Sequence, residues 1–247
     1  RTGITLTAPN LTSAAIGPIP EGADCTVTET NSAGATSVAP GTTVVLKNLP
    51  SGTTTAANFT NTFLYAGFTV TKTVDNGGAL DASGDQVIYR RSFDYRAVCT
   101  FNGNQILNQT FTLHHVVAKT WETKAFEQLP SGASCTVTET GTGEAASTGV
   151  KVTQNGSTLV DSPSSPTATF TLATGTSATT TAAFTNHFTT GGLDLSKVVT
   201  GAGAGLWGAG PFTVRVVCTF DDDLVVGTPA ATAYDGTKDL TGGDTWK

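Results

Sequence analysis

The chain has 247 residues, a length suited to one large domain or two domains of ordinary size. Charged residues make up 13% of it, the formal net charge is −6, and no basic run occurs, which excludes the electrostatic signature of a nucleic-acid-binding protein. The chain is rich in Thr and Gly and lacks Met and any apolar run long enough to span a membrane, so we expect an all-β fold with no membrane span.

The first predicted strand is Cys25–Thr30, with the sequence CTVTET, and a Pro-x-Gly-Ala turn precedes it at Pro20–Ala23. Its apolar and polar residues alternate, which is typical of a half-buried antiparallel strand. The inward-facing set is Cys25, Val27 and Glu29. A second strand, Ala57–Phe63, ends this part of the chain, and its alternation turns Asn61 inward.

Four further strands follow in the middle of the chain: Phe68–Val74, Phe93–Phe101, Cys135–Thr140 and Ala182–Phe188. The same alternation places Lys72, Glu139 and Asn186 on inward faces of the first, third and fourth of them. The last two predicted strands are Leu193–Val199 and Phe212–Phe220. Lys197 lies on the apolar face of the earlier one.

These strands repeat one series, since CTVTET occurs twice, FTNTF matches FTNHF, and FDYRAVCTF matches FTVRVVCTF. The order within a repeat is a lysine strand, a cysteine strand, an acidic strand that begins with CTVTET, and an asparagine strand. Residues 65–190 contain the whole series, residues 1–64 its second half, and residues 191–247 its first half. We therefore predict tandem Ig-like β-sandwich repeats, one complete and one split between the two chain ends.

The split leaves three arrangements open: one period of a longer covalent array, subunits that complete each other head to tail, or two halves that close within one chain. Closure within one chain would require the short connections Leu64–Gly67 and Thr189–Gly192 to join two antiparallel rods, which is the more demanding geometry. We therefore expect a linear array or filament, in which the partners are neighbouring repeats or copies of the same chain.

The inward-facing polar residues belong together. Burying an amine, a carboxyl and an amide costs several kcal/mol unless each finds a partner, so Lys72, Glu139 and Asn186 are expected to meet. The alternative is a lysine whose amine reaches solvent, an asparagine that caps a turn and a glutamate that faces water.

This set, the cysteine pair and the Pro-x-Gly-Ala-x-CTVTET run resemble CnaB-type (prealbumin-like) repeats of Gram-positive, especially actinobacterial, cell-surface proteins and pilins. The resemblance implies an extracellular protein and a self-formed isopeptide bond between a first-strand Lys and a last-strand Asn, promoted by an acid. The implied sets are Lys72, Asn186 and Glu139 in the complete repeat, and Lys197, Asn61 and Glu29 in the split one. In its protonated form, Glu139 is expected to hydrogen-bond to the amide oxygen of Asn186 and polarise it.

An even number of cysteines in a secreted chain favours disulfides. We predict Cys99–Cys135 within the complete repeat and, by equivalence of position, Cys218–Cys25 across the repeat junction. The Cys99–Cys135 disulfide closes a loop, which should stabilise the fold by about 4 kcal/mol. The alternative is four free buried thiols, which suits a reducing compartment better.

No cofactor and no metal are expected. His114 and His115 are adjacent and so face opposite sides of a strand, and no Cys or His spacing fits a metal site. Nucleophile elbow, phosphate loop and dinucleotide motifs are missing from the sequence, so we expect a single self-modification and no enzymatic turnover.

The function that these patterns favour is a structural repeat of an extracellular stalk, pilus or filament. The alternative is an adhesin that binds a ligand through a variable loop such as Gly141–Ser165 or through exposed aromatic residues. The aromatic candidates are Trp121, Trp207 and Trp246. A hydrolase of surface polymers is disfavoured, because no catalytic acid, base or nucleophile set is visible.

Overall fold

The computed structural model of the chain describes residues 3–7, 11–80, 91–117, 120–173, 179–220, 231–241 and 245–246. The chain divides into two compact units, unit 1 (Arg1–Leu64) and unit 2 (Tyr65–Lys247). Nearly all regular structure in both is β-strand, so the all-β prediction is confirmed. Within the described residues, no helix has the length and apolar character needed to cross a membrane.

Unit 1 contains four short strands that form two antiparallel pairs. The strands are β1 (Cys25–Thr28), β2 (Ser37–Ala39), β3 (Thr43–Leu46) and β4 (Thr60–Thr62). β1 pairs with β3, and β2 pairs with β4. Alternate residues of β1 are half-buried and exposed, as the period-two pattern of its sequence predicts.

The first part of unit 2 is the predicted complete repeat. Its strands are β5 (Tyr65–Asp75), β6 (Phe93–Phe101), β7 (Asn104–Leu113), β8 (His115–Val117), β9 (Thr120–Trp121), β10 (Lys124–Pro130), β11 (Ser134–Gly141), β12 (Ser147–Gln154), β13 (Ser157–Ser162), β14 (Thr167–Thr171) and β15 (Thr180–His187). One sheet has the order β10-β5-β15-β12-β13 and a second has the order β14-β11-β6-β7. β5 and β15 run parallel, whereas the other pairs in these two sheets are antiparallel.

The two sheets pack face to face as a sandwich. Rings contact each other across the interface: Phe68 of β5 meets Phe170 of β14 at 5.3 Å, and Tyr95 of β6 meets Phe184 of β15 at 5.2 Å between centroids. Each strand contributes alternate residues to this core, because successive side chains point to opposite faces of a sheet. Polar residues on the same inward faces are therefore enclosed with the aromatic ones.

The described residues in the remainder of unit 2 form four strands and one short helix. They are β16 (Leu195–Ser196), α1 (Ala204–Trp207), β17 (Phe212–Phe220), β18 (Ala231–Leu240) and β19 (Thr245–Trp246). β16 pairs with β19, and β17 pairs with β18, both antiparallel. The division into residues 1–64, 65–190 and 191–247, with a split repeat completed across copies, stays a prediction.

The same turn precedes both acidic strands. Gly22 and Gly132 have φ angles of +76° and +85°, a region in which a side chain is strained. The amide of Gly22 donates to the carbonyl of Leu49 at 2.9 Å, and that of Gly132 donates to the carbonyl of Leu172 at 3.0 Å. The repeated Pro-x-Gly-Ala sequence thus forms one backbone structure in both units.

The prediction that Gly141–Ser165 is a loop is wrong. The segment Gly141–Ser165 contains the last residue of β11 and the hairpin of β12 and β13, which turns at Asn155 and Gly156. Asn-Gly between alternating apolar residues is a strong hairpin signal, and it outweighs the Ser- and Gly-rich composition that indicates a loop. The candidate ligand-binding loop of the adhesin alternative is therefore a pair of ordered strands.

Candidate functional site

Three strands from both sheets position the polar residues of the core. Lys72 lies on β5 and Asn186 lies on β15, and these strands are parallel neighbours in which Phe184 stands opposite Lys72. Asn186 is two residues beyond Phe184 and so shares its inward face. Glu139 lies on β11 in the opposing sheet. Alternation within three strands thus directs an amine, an amide and a carboxyl to one place.

The three side chains form one buried cluster, which we call the complete site. Lys72 Nζ is 2.8 Å from each carboxylate oxygen of Glu139, and Asn186 Nδ2 donates to Glu139 Oε1 at 2.6 Å. The residues are 7%, 2% and 0% exposed for Lys72, Glu139 and Asn186. The alternative interpretation, in which these groups reach solvent, does not hold.

The amide of Asn186 is oriented differently from the expectation. Its nitrogen, not its oxygen, faces Glu139, and it also donates to the carbonyl oxygen of Thr142 at 2.8 Å. Both neighbours accept hydrogen bonds, and the amide nitrogen is the only donor in the Asn186 side chain. Asn186 Oδ1 is buried without a hydrogen-bond partner in the described part of the chain. The geometry therefore places Glu139 beside the group that would leave as ammonia.

Burial controls the protonation of the amine. Loss of hydration lowers the pKa of Lys72 to about 8, although the charge of Glu139 and its hydrogen bond act in the opposite direction. Neutral amine is the nucleophilic form, so burial prepares Lys72 for attack on a carbonyl carbon.

Two aromatic residues complete the site, and the sequence patterns did not identify them. The Phe93 ring centroid lies 4.0 Å from Lys72 Nζ, and Tyr95 donates through its hydroxyl to Glu139 Oε2 at 3.3 Å. Burial raises the pKa of Tyr95, so its hydroxyl stays a donor. Phe93 recurs as Phe212 in the second cysteine strand, a signal that could have identified it, whereas Val214 replaces Tyr95 there.

The disulfide prediction is confirmed for the complete repeat. Cys99 of β6 and Cys135 of β11 stand directly opposite each other in the four-stranded sheet and are joined through their sulfurs. Cys25 and Cys218 are free thiols in the structure, and both are half-buried. Their pairing stays a prediction.

The implied second site draws Glu29 and Asn61 from unit 1 and Lys197 from unit 2. In unit 1, Asn61 Nδ2 donates to Glu29 Oε1 at 2.6 Å, which is also the Asn186–Glu139 distance. In unit 2, Lys197 Nζ lies 4.7 Å from the centroid of the Phe212 ring. Each half thus reproduces one portion of the complete site.

From the sequence, no metal site is expected, and three tryptophans are candidate ligand-binding residues. Among the described residues, no group of three or more His, Cys, Asp or Glu side chains could hold a metal ion. Trp121 is buried, and its indole nitrogen donates to the carbonyl oxygen of Arg91 at 2.9 Å. Trp207 is 80% exposed, and the side chain of Trp246 lies outside the described residues.

Comparison with known families identifies two segments of the chain. A family model described as Domain of unknown function (DUF5979) matches residues 2–64 and residues 68–189. The chain belongs to this family. The first DUF5979 segment contains Glu29 and Asn61, whereas the second contains all three residues of the complete site. Lys197 lies beyond both segments.

No curated protein matches the DUF5979 chain. Among solved structures, it is similar to a bacterial adhesin from Mobiluncus mulieris that contains intramolecular disulfide, isopeptide and ester bond cross-links, with 21% identity and a TM-score of 0.37 over 62% of this chain and 46% of that one. It is also similar to the major pilin T3.2 of Streptococcus pyogenes, with 15% identity and a TM-score of 0.33 over 59% and 52% of the two chains. The chain thus spans about half the length of these proteins.

Proposed function

We propose that this protein is a structural repeat of an extracellular stalk, pilus or filament, of the CnaB type, and that its complete repeat forms one isopeptide bond between Lys72 and Asn186. The observation that carries the proposal is the enclosed contact of Glu139 with both reacting groups, at 2.8 Å from the amine and 2.6 Å from the amide nitrogen. A buried ion pair is a weak source of stability, so a reaction explains this arrangement better than folding does.

The reaction needs only the groups of the complete site. Lys72 gives one proton to Glu139, and its neutral amine attacks Cγ of Asn186. The new Nζ–Cγ bond forms, Glu139 delivers its proton to Nδ2, and the Cγ–Nδ2 bond breaks as ammonia leaves. Glu139 then takes the remaining excess proton from Nζ and ends as a neutral acid. Glu139 thus acts as base and acid in a single turnover.

The position of the two covalent links supports a mechanical role. The proposed bond joins β5 to β15, the first and last strands of the complete repeat, within the five-stranded sheet. The disulfide joins β6 to β11 within the four-stranded sheet. Each sheet would then hold one cross-link, and force applied at the ends of the repeat would pass through a covalent connection. The disulfide also favours an oxidising compartment such as the cell exterior.

Intact-mass measurement on the reduced full chain tests the proposed bond. We expect a mass lower than the sequence mass by one ammonia for the complete site. Glu139→Ala should restore that ammonia, because the amine and the leaving nitrogen lose their proton carrier. Glu29→Ala is the matched control, since it removes the equivalent acid of unit 1 and should leave the Lys72–Asn186 bond intact. A folded wild-type protein with no bond at Lys72 would contradict the proposal.

A further inference from the structure

The two carboxylate oxygens of Glu139 have different neighbours. Oε1 lies 2.8 Å from Lys72 Nζ and 2.6 Å from Asn186 Nδ2, whereas Oε2 lies 2.8 Å from Lys72 Nζ and 3.3 Å from the hydroxyl oxygen of Tyr95. The amine therefore reaches either oxygen, but only Oε1 is hydrogen-bonded to the nitrogen that would leave as ammonia. A proton on Oε1 is in position for delivery to Nδ2, and a proton on Oε2 is not.

The hydroxyl of Tyr95 favours one of these two positions of the proton. Glu139 Oε2 is its only hydrogen-bond acceptor among the described residues. If the acid carried its proton on Oε2, that oxygen would become a donor and a much poorer acceptor for the Tyr95 hydrogen. A buried donor without an acceptor is unfavourable, so the proton is more stable on Oε1, and Oε2 stays the carbonyl oxygen.

Packing holds the Tyr95 ring independently of its hydroxyl. The residue is 0% exposed, and its ring stacks on Phe111 of β7 and makes a T-shaped contact with Phe184 of β15, each at 5.2 Å between centroids. Aromatic pairs of this kind contribute their own packing energy. The ring therefore fixes the position of the hydroxyl, and Tyr95→Phe removes the hydroxyl while leaving the ring contacts in place.

Strand register aligns Tyr95 with the acid. Tyr95 of β6 stands directly opposite Glu139 of β11, and the disulfide partners Cys99 and Cys135 stand opposite each other in the same ladder, four residues away on each strand. A slip of one residue would turn every side chain of a strand to the other face, and the covalent link prevents such a slip. The alignment of Tyr95 with Glu139 therefore does not depend on their hydrogen bond.

Tyr95 keeps its own proton at neutral pH. Burial is the largest cause that raises the pKa of its hydroxyl, and the charge of Glu139 and the hydrogen bond to Glu139 act in the same direction. The hydroxyl therefore does not compete with Lys72 as a source of protons for Glu139. It stays a hydrogen-bond donor to Oε2 while the acid changes its charge.

We propose that Tyr95 is a positioning residue for the isopeptide reaction, because its hydroxyl confines the proton that Glu139 accepts to Oε1, the oxygen beside the leaving nitrogen. This inference rests on the proposed bond between Lys72 and Asn186. It adds a division of labour between the two oxygens of one carboxyl group: Oε1 carries the proton, and Oε2 is held by Tyr95. The acid then needs no rotation between accepting the proton and delivering it.

The proton balance closes without any change in Tyr95. One proton moves from Lys72 Nζ to Oε1, the Nζ–Cγ bond forms, and the same proton moves from Oε1 to Nδ2 as the Cγ–Nδ2 bond breaks and ammonia leaves. The excess proton on the new amide nitrogen then moves to Oε1. Glu139 ends as a neutral acid whose carbonyl oxygen, Oε2, still accepts from Tyr95, and no electrons are transferred.

The rate of bond formation tests this role. The full chain is pulse-labelled in a cell-free translation reaction that contains oxidised glutathione, samples are quenched in acid, and the loss of ammonia is followed by intact mass after reduction. Tyr95→Phe should slow this loss by about tenfold, which is the effect of one hydrogen bond on a rate. Phe111→Leu is the matched control, since it disturbs the packing of the Tyr95 ring but keeps the hydroxyl, and it should react at a rate close to that of the wild type.

The outcomes separate this role from the proposed function. Wild-type protein that loses no ammonia would overturn the isopeptide bond, and the role of Tyr95 with it. A bond that forms in Tyr95→Phe at the wild-type rate would overturn the positioning role alone. Equal slowing by Tyr95→Phe and Phe111→Leu would also overturn that role, because packing and not the hydroxyl would then control the rate.

Infrared spectroscopy of the bonded product tests the position of the proton. Glu139 is then a neutral acid, and its carbonyl stretch is identified by its absence from Glu139→Ala. Tyr95→Phe removes the donor to the carbonyl oxygen and should shift this band to higher frequency. Replacing all four tyrosines by 3-fluorotyrosine keeps the rings and makes the hydroxyl of Tyr95 a stronger donor, so the band should shift to lower frequency. An unshifted band in the fluorinated protein would overturn the role, even if Tyr95→Phe failed to fold.

Discussion

The same six residues, CTVTET, occupy two environments in this molecule. In β11 the inward residues Cys135, Val137 and Glu139 are fully enclosed, whereas the identical residues Cys25 and Val27 of β1, and Glu29 just after it, are half-buried. The preceding turn has the same backbone hydrogen bonds in both places. Local sequence therefore determines the turn and the alternation, but the opposing sheet supplies the enclosure.

The two lysine strands, β5 and β16, differ in length and pairing more than the two CTVTET strands do. β5 has eleven residues and lies between β10 and β15, whereas its counterpart β16 has two residues and pairs only with β19 among the described strands. Cross-strand pairs stabilise a strand, so the greater length of β5 agrees with its having a neighbour on both sides. The comparison thus separates the structure that the sequence of one segment determines from the structure that pairing with neighbouring strands adds.

The largest difference between the two environments should follow removal of the acid. In Glu139→Ala the amine of Lys72 stays buried without its partner, which should lower the free energy of unfolding by about 3–5 kcal/mol, and the loss of the proposed cross-link adds to this. Glu29→Ala should have a much smaller effect on monomeric protein. Urea unfolding of both variants measures the difference, and equal losses would show that enclosure is not what distinguishes the sites.

The second largest loss of stability should follow removal of the disulfide. Replacing both Cys99 and Cys135 by Ser opens a loop with a sequence separation of 36 residues and should cost about 4 kcal/mol of stability. The double Ser variant at Cys25 and Cys218 should leave monomer stability unchanged, since both are free thiols. Guanidinium unfolding under non-reducing conditions makes this comparison, and a large loss in the second variant would contradict it.

The pH dependence of stability should reveal the buried amine when the bond cannot form. In Asn186→Ala, folded Lys72 releases its proton near pH 8, whereas in the unfolded chain it keeps the proton up to about 10.5. The unfolded state therefore binds more protons in this window, and stability should rise with pH across it, by up to about 3 kcal/mol.

Wild-type protein is the control for that titration. Once Lys72 is part of an amide it no longer titrates, so its contribution to the pH dependence should disappear. Unfolding measured from pH 7.5 to 10.5 tests this, and parallel curves for the two proteins would contradict either the burial or the bond.

The smallest effect concerns one pair of valines. Val137→Ala removes two methyl groups from a fully enclosed position and should cost about 2 kcal/mol. Val27→Ala, at the half-buried equivalent position, should cost less than about 1 kcal/mol in monomeric protein. Thermal unfolding of the two variants measures this, and equal losses of stability would contradict the difference in enclosure between β11 and β1.

Much of this architecture was accessible from the sequence. Period-two alternation predicted the strands that carry Lys72, Glu139 and Asn186 and the inward placement of these residues, because a strand has only two faces, but it left other strands such as β7, β10 and β14 unpredicted. It did not provide the amide orientation of Asn186, which depends on the carbonyl of Thr142, a backbone atom without a sequence signature. The predicted loop Gly141–Ser165 also left out the hairpin of β12 and β13, although its Asn-Gly turn is a hairpin signal.

The proposed cross-link is tested most directly by proteolytic peptide mapping of the reduced wild-type chain with tandem mass spectrometry. We expect a branched peptide in which trypsin has not cleaved after Lys72, joined to the peptide that contains Asn186 and lighter than their sum by one ammonia. The same peptides should be separate and unaltered in Glu139→Ala. Separate peptides in the folded wild-type protein, with cleavage after Lys72, would contradict the account.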